Sequence, residues 1–146
     1  SEKLPWGADE KDPRCAEFKQ KLEREIIRAY EDGARFFLSG MADGFDTYAA
    51  EAVIKLSRKR PDMRLIAVYP YGRASDARRK RIESRAWRVV SLREKYVPSC
   101  YMERNAFLVE HSSRLICGFS GDMLSGTGST IRRARSKQLD ITIITP

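Results

Sequence analysis

Apolar positions along the chain follow two alternating rhythms. Cys15, Phe18, Leu22, Ile26, Ala29 and Tyr30 recur at three- and four-residue steps, which is one face of a helix. Asp12 before Pro13 predicts its N-cap and first helical position, and Gly33 its C-cap. Short apolar runs then interleave with helical segments. "ARFFLS" reads as a buried strand, and "DTYAAEAVIKLSRK" as a helix that Pro61 stops. "RLIAVY" is the next strand. Pro70, Tyr71 and Gly72 turn the chain, and Ser75 or Asp76 caps a basic helix over 76–87. "RVVSL" is a strand, and "YMERNAFLVEH" a helix with Met102, Ala106 and Val109 on one face. "RLICGF" is a strand, "SGDMLSGTGST" a loop, "TIRRARSKQ" a helix and "DITIIT" the last strand.

Apolar runs separated by helices imply right-handed crossovers and a mainly parallel sheet covered on both faces. The expectation is a single doubly wound α/β domain of three layers spanning 1–146. That length suits one domain with a real core. Five strands are visible. The first element is nevertheless a helix, preceded by the irregular "SEKLPWGADEK". In a doubly wound domain a helix that early follows a strand, and the sequence offers none there.

No apolar run reaches membrane-spanning length, and nothing at the N-terminus reads as a signal peptide. Cys15, Cys100 and Cys117 are odd in number and widely spaced, so they fit neither a disulfide framework nor a metal site. These features predict a cytoplasmic protein with reduced thiols. The net charge of +8 is concentrated. Residues 73–88 carry Arg73, Arg78, Arg79, Lys80, Arg81, Arg85 and Arg88 against only Asp76 and Glu83. A second cluster is Arg132, Arg133, Arg135 and Lys137. Such faces attract phosphates, or they are solvated helix surface. On the basic helix, Arg78, Arg81 and Arg85 are spaced to share one face.

Ligands of open α/β sheets bind outside the carboxyl ends of the strands. Two turns at that end are glycine-rich. "FLSGMADGFD" leaves a strand through Ser39, Gly40 and Gly44, with Asp46 beyond. Asp46 has two readings: the cap of the following helix, or an acceptor for a ribose or a base. "SGTGST" enters the last helix, where backbone N–H groups and the helix dipole favour an anion. Ser125, Thr127, Ser129 and Thr130 add hydroxyls. It is neither a Walker A loop nor the dinucleotide fingerprint, and ordinary turn chemistry also explains it. Arg104 and Asn105 are either a surface pair or a phosphate fork. His111, the single histidine, suits a helix C-terminus, and no nucleophile is identified to partner it. Tyr69, Tyr71, Trp87 and Tyr101 lie among basic residues and serve packing or base stacking.

"FLSGMADGFDTYAAEAV", "YMERNAFLVEHSSRLICGF" and "GTGSTIRRA" together resemble the YpsA-like proteins of the SLOG superfamily, over essentially the whole chain. That superfamily is Rossmann-like, and includes DNA-processing protein A and the Lonely-guy phosphoribohydrolases. The resemblance implies binding of a nucleotide or nucleotide-derived ligand. Its site residues would be Ser39, Gly40, Gly44, Asp46, Arg104, Asn105, Gly126, Thr127, Gly128, Ser129 and Thr130. Two departures matter. The family's N-terminal strand, ending in Thr-Gly-His-Arg, has no match, so a site using it would be incomplete and backbone groups would be left unpaired. After Gly126-Thr127 comes Gly128-Ser129-Thr130 rather than the glutamates of Lonely-guy hydrolases. This argues against N-glycosidase chemistry of that kind. Three readings follow: a sensor or regulatory module for a nucleotide-like ligand, a nucleoside-phosphate hydrolase, or a binder of single-stranded nucleic acid. A homo-oligomer is compatible with each.

Overall fold

The computed structural model describes residues 4–74, 76–119, 121, 123 and 125–146. Five helices alternate with five strands. They are α1 (Pro13–Glu31), β1 (Phe36–Ser39), α2 (Phe45–Ser57), β2 (Arg64–Tyr69), α3 (Ala77–Arg85), β3 (Arg88–Ser91), α4 (Cys100–Glu110), β4 (Arg114–Gly118), α5 (Gly126–Ser136) and β5 (Asp140–Ile144).

The periodicity of α1 is borne out: Cys15, Phe18, Leu22, Ile26 and Ala29 are buried along one face. Asp12 caps it by accepting from the Arg14 N–H, and Pro13 opens the first turn. Gly33, the expected C-cap, is instead the residue just after the cap. The C-cap is Asp32, and Gly33 follows at φ 111°. The Gly33 and Ala34 amides bond the carbonyls of Tyr30 and Ala29, closing a Schellman motif. For α3, Asp76 is the cap, accepting from the Arg79 N–H at 2.9 Å; Ser75 lies outside the described residues. The apolar face expected on α4 is different in the fold. Met102 is 61% exposed, and Cys100, Arg104 and Val109 turn inward. The last helix starts at Gly126, so the glycine-rich "GTGST" is its first turn rather than loop.

All strand pairs are parallel, as the alternating pattern required. They form two sheets rather than one, β1-β2-β3 and β4-β5. The break falls between β1 and β4, each hydrogen-bonded on one side only among the described residues. Between them runs a cleft of about 440 Å³. Phe36–Ser39 line one wall, Arg114–Gly118 the other, with Leu22 and Ile26 of α1 and Leu108 of α4 among the residues that close it. The two sheets are held together by helices. Phe18 of α1 and Phe45 of α2 press on Gly118 so closely that a Cβ there would lie 2.9 Å from both rings. Backbone groups of β1 and β4 are thereby left open to pairing.

The leader from Leu4 onward is anchored. Trp6 is buried, donates to the Tyr48 hydroxyl at 3.1 Å and packs on Phe18. Arg78 ties leader and helices together, 2.6 Å from Glu10 and 2.6 Å from Glu51. It is therefore no member of a free basic stripe with Arg81 and Arg85. No helix among the described residues is long and apolar enough to cross a membrane.

Two outcomes are expected. A six-residue peptide of valine, isoleucine and alanine, added in trans, should slow hydrogen exchange at β1 and β4 and raise Tm; a version with two prolines should do neither. The Arg78 hydrogen bonds pull Glu10 from an ordinary 4.5 to about 2. A lowered carboxyl contributes stability above its unfolded value, lost as pH falls from 4.5 towards about 2. Acid unfolding of Glu10→Gln should lose that part of its pH dependence.

Candidate functional site

The β1–α2 turn is organised by Ser39 and Asp46. Ser39 Oγ donates to the Asp46 carbonyl at 2.9 Å and accepts from the Met41 N–H at 3.2 Å. Asp46 Oδ2 accepts from the Ala42 N–H at 3.2 Å. The N-cap of α2 is Gly44, at φ 85° and without a side-chain cap. Asp46 is thus not the helix cap; it closes the turn that precedes it. Gly44 is needed for its left-handed backbone. Arg79 braces the same turn from α3: its Nε donates to the Met41 carbonyl at 2.8 Å and its Nη2 reaches Asp43 at 2.6 Å. Pattern reading did not find this role of Arg79, because nothing local marks a pair 36 residues apart.

Arg104 crosses to this turn from α4. It is 7% exposed, and its Nη1 donates to the Gly40 carbonyl at 2.5 Å. Its Nε donates to Asn105 Oδ1 at 2.9 Å. A Cβ on Gly40 would lie 2.8 Å from Arg104 Cδ and 2.9 Å from Asp46 Oδ2. The close approach that this glycine permits is therefore by the protein's own arginine and carboxylate. Burial pushes the Asp46 carboxyl above the ordinary carboxylate range, while the Arg104 charge and the Ala42 N–H pull the other way.

The third part is the amino end of α5. Ser125 caps it, accepting from the Gly128 N–H at 3.1 Å. Gly128 is buried, and a Cβ on it would lie 2.6 Å from the Met123 backbone. Thr130 Oγ1 donates back to the Gly126 carbonyl at 3.0 Å. Gly126 is exposed, with nothing within 4 Å of a built Cβ.

Ser39, Gly40, Asp46, Arg104, Asn105, Gly126, Thr127 and Thr130 all line the one cleft between β1 and β4. Gly44, Gly128 and Ser129 do not line it; the first two serve the backbone. Asp46 is the only carboxylate among the described lining residues. His111 also lines the cleft as the C-cap of α4, its Nδ1 2.9 Å from the Phe107 carbonyl and its ring stacked on Phe107. Tyr69 is buried, whereas Tyr71, Tyr96 and Tyr101 form an exposed cluster of rings 5.7–6.4 Å apart.

A parallel α/β domain whose cleft reaches the carboxyl ends of its strands is of the Rossmann-like class. Within that class the chain belongs to the YpsA family, described as the YspA SLOG family, whose model matches residues 8–146. It is 28% identical over 141 residues to a UPF0398 protein of Halalkalibacterium halodurans, covering 88% of this chain and 75% of the relative. It is 21% identical over 142 residues to a UPF0398 protein of Brevibacillus brevis, covering 90% and 74%.

The glycines separate by role. Gly40→Ala and Gly128→Ala force shifts in packed neighbours and should each cost about 1–3 kcal/mol. Gly126→Ala meets open space and should leave stability unchanged or higher. Urea unfolding of the three variants checks this ranking.

Proposed function

We propose that the upper end of the cleft binds a nucleotide or nucleotide-derived ligand, and that the protein is a sensor or regulatory module. One observation carries this reading. Asp46, the Arg104–Asn105 pair and the amino end of α5 come from three distant parts of the sequence and open on one cleft at the strand ends. The chemistry divides naturally among them. The first N–H groups of α5 and its dipole suit a phosphate. Asp46, with one oxygen held by Ala42, suits the hydroxyls of a ribose or an amino group of a base. Arg104 makes no hydrogen bond through Nη2 within the described residues, which leaves donors for a bound anion.

The hydrolase reading has its own support. A carboxyl raised by burial in a cleft is a feature of general acids and bases. Against it stands the absence of a second carboxylate among the described lining residues. Two-carboxylate glycosidic cleavage has no counterpart among the described lining residues.

Calorimetry with adenosine monophosphate, alongside an assay for free adenine, separates the two readings. The sensor reading expects binding, at least tenfold weaker in Gly126→Leu with the fold intact, and no release of base. Unchanged affinity in Gly126→Leu removes the α5 terminus from the site. Adenine release that survives repurification and vanishes in Asp46→Asn replaces the sensor with a hydrolase in which Asp46 is catalytic.

A further inference from the structure

The amino ends of the first three strands carry a second constellation, away from the cleft's ligand end. Phe37, Leu65 and Val89 pack in the core with α1 and α2. Strand alternation turns Phe36, Arg64 and Arg88 to the opposite face. There Phe36 is 49% exposed and the neighbouring Trp87 47% exposed. Their rings meet edge to face, with centroids 5.2 Å apart. The Arg64 guanidinium lies 5.8 Å from the Phe36 ring and 5.5 Å from that of Trp87, and Arg88 lies 4.7 Å from Trp87.

Three properties set this patch apart. It lies at the amino ends of strands held by the β1–β2–β3 pairing. Its two aromatic rings are half exposed although a buried site would gain about 1.5–3 kcal/mol for such a side chain. Arg64 and Arg88 have no carboxylate partner among the described residues, a property shared with Arg81 and Arg85 of α3 but here combined with exposed rings; Arg73, Arg78, Arg79, Arg93 and Arg114 are in ion pairs. An apolar partner would desolvate two unpaired guanidinium groups, at a cost. A second copy docked on the same patch would bring like charges together. A polyanion with planar faces satisfies both kinds of group. Sheet platforms stack single-stranded bases on exposed rings in this way, and arginine planes stack on bases as well.

We propose that this face binds single-stranded nucleic acid, with bases on Trp87 and Phe36 and phosphates at Arg64 and Arg88. Phe36 also lines the cleft at the strands' amino ends, so the site adjoins the cleft at the end away from Asp46 and the first turn of α5, and it moves the basic contribution of the 73–88 segment from Arg78 to its far end.

The test uses fluorescein-labelled oligothymidylate of twelve nucleotides and the intact chain, read by anisotropy and by quenching of Trp87 fluorescence. The expected result is binding whose logarithm falls with the logarithm of salt at about −0.7 per phosphate neutralised. Trp87→Ala should weaken it about tenfold, the loss of one stacked base. Arg64→Glu with Arg88→Glu, both exposed positions, should abolish it while circular dichroism and nucleotide affinity stay unchanged. Lys80→Glu with Arg81→Glu, on α3, should change it less than about twofold against that tenfold loss. No anisotropy change at low salt overturns the proposal. So does an equal loss in the α3 variant, or displacement by polyglutamate at equal charge concentration, which would make the face a dock for acidic protein.

Discussion

The buried guanidinium of Arg104 is the constraint on which the site depends. A charge with 7% exposure has to be met by acceptors, or its burial costs several kcal/mol. Those acceptors are the Gly40 carbonyl, the Asn105 amide oxygen and, at longer range, the Asp46 carboxylate. One side chain therefore fixes the distance between α4 and the β1–α2 turn. It also dictates a residue without a Cβ at position 40, since any larger one would strike both Arg104 and Asp46. The turn is gripped from the other side by Arg79, through Met41 and Asp43. Two arginines from two helices thus hold a loop whose own sequence is small and flexible. The result is a preorganised rim, which lowers the ordering cost of any ligand that binds there.

Much of the fold was legible because its periods are clean. The strand "RLIAVY" coincides with Arg64–Tyr69, and Asp12, Pro13 and Asp76 sit where capping chemistry puts them. What escaped pattern reading depends on partners distant in sequence. The charge run of 73–88 gives no sign that Arg78 will meet Glu10, 68 residues away, and Glu51. Met102 matched the helical period on α4 but is exposed, because Arg104 occupies the inward face that an apolar residue would otherwise take. The sheet was expected to be continuous. Its division into two follows from β1 and β4 having no strand between them among the described residues, which the early first helix hinted at and only the pairing shows.

The candidate site was legible in its members more than in their tasks. Eight of the eleven residues singled out from sequence share the cleft, so their types and positions carried real spatial information. Their glycines were assigned to an approaching ligand, and two of them have a neighbour of the protein's own. Gly40 admits Arg104, and Gly128 admits the Met123 backbone. A sequence motif records where a side chain is forbidden without recording what forbids it. Gly126 is the exception, open to solvent and free of contacts at the helix terminus.

The open edges and the candidate rim belong to one cavity. The cleft runs from Ala34 and Arg114 at one end to Gly40, Asp46 and Gly126 at the other. An extended segment paired in parallel with β1 and β4 would therefore finish beside Asp46 and the first turn of α5. Pairing along the strands and contacts at the rim would then be mutually reinforcing, because each would order backbone that the other uses. Arg104 is the connection between them: its stem lines the cleft, and its head holds Gly40 at the rim. A change that loosens the β1–β4 spacing would move that guanidinium, and with it the Gly40 carbonyl and the Asp46 carboxyl. The geometry of the rim is in this way tied to how tightly the two sheets are joined.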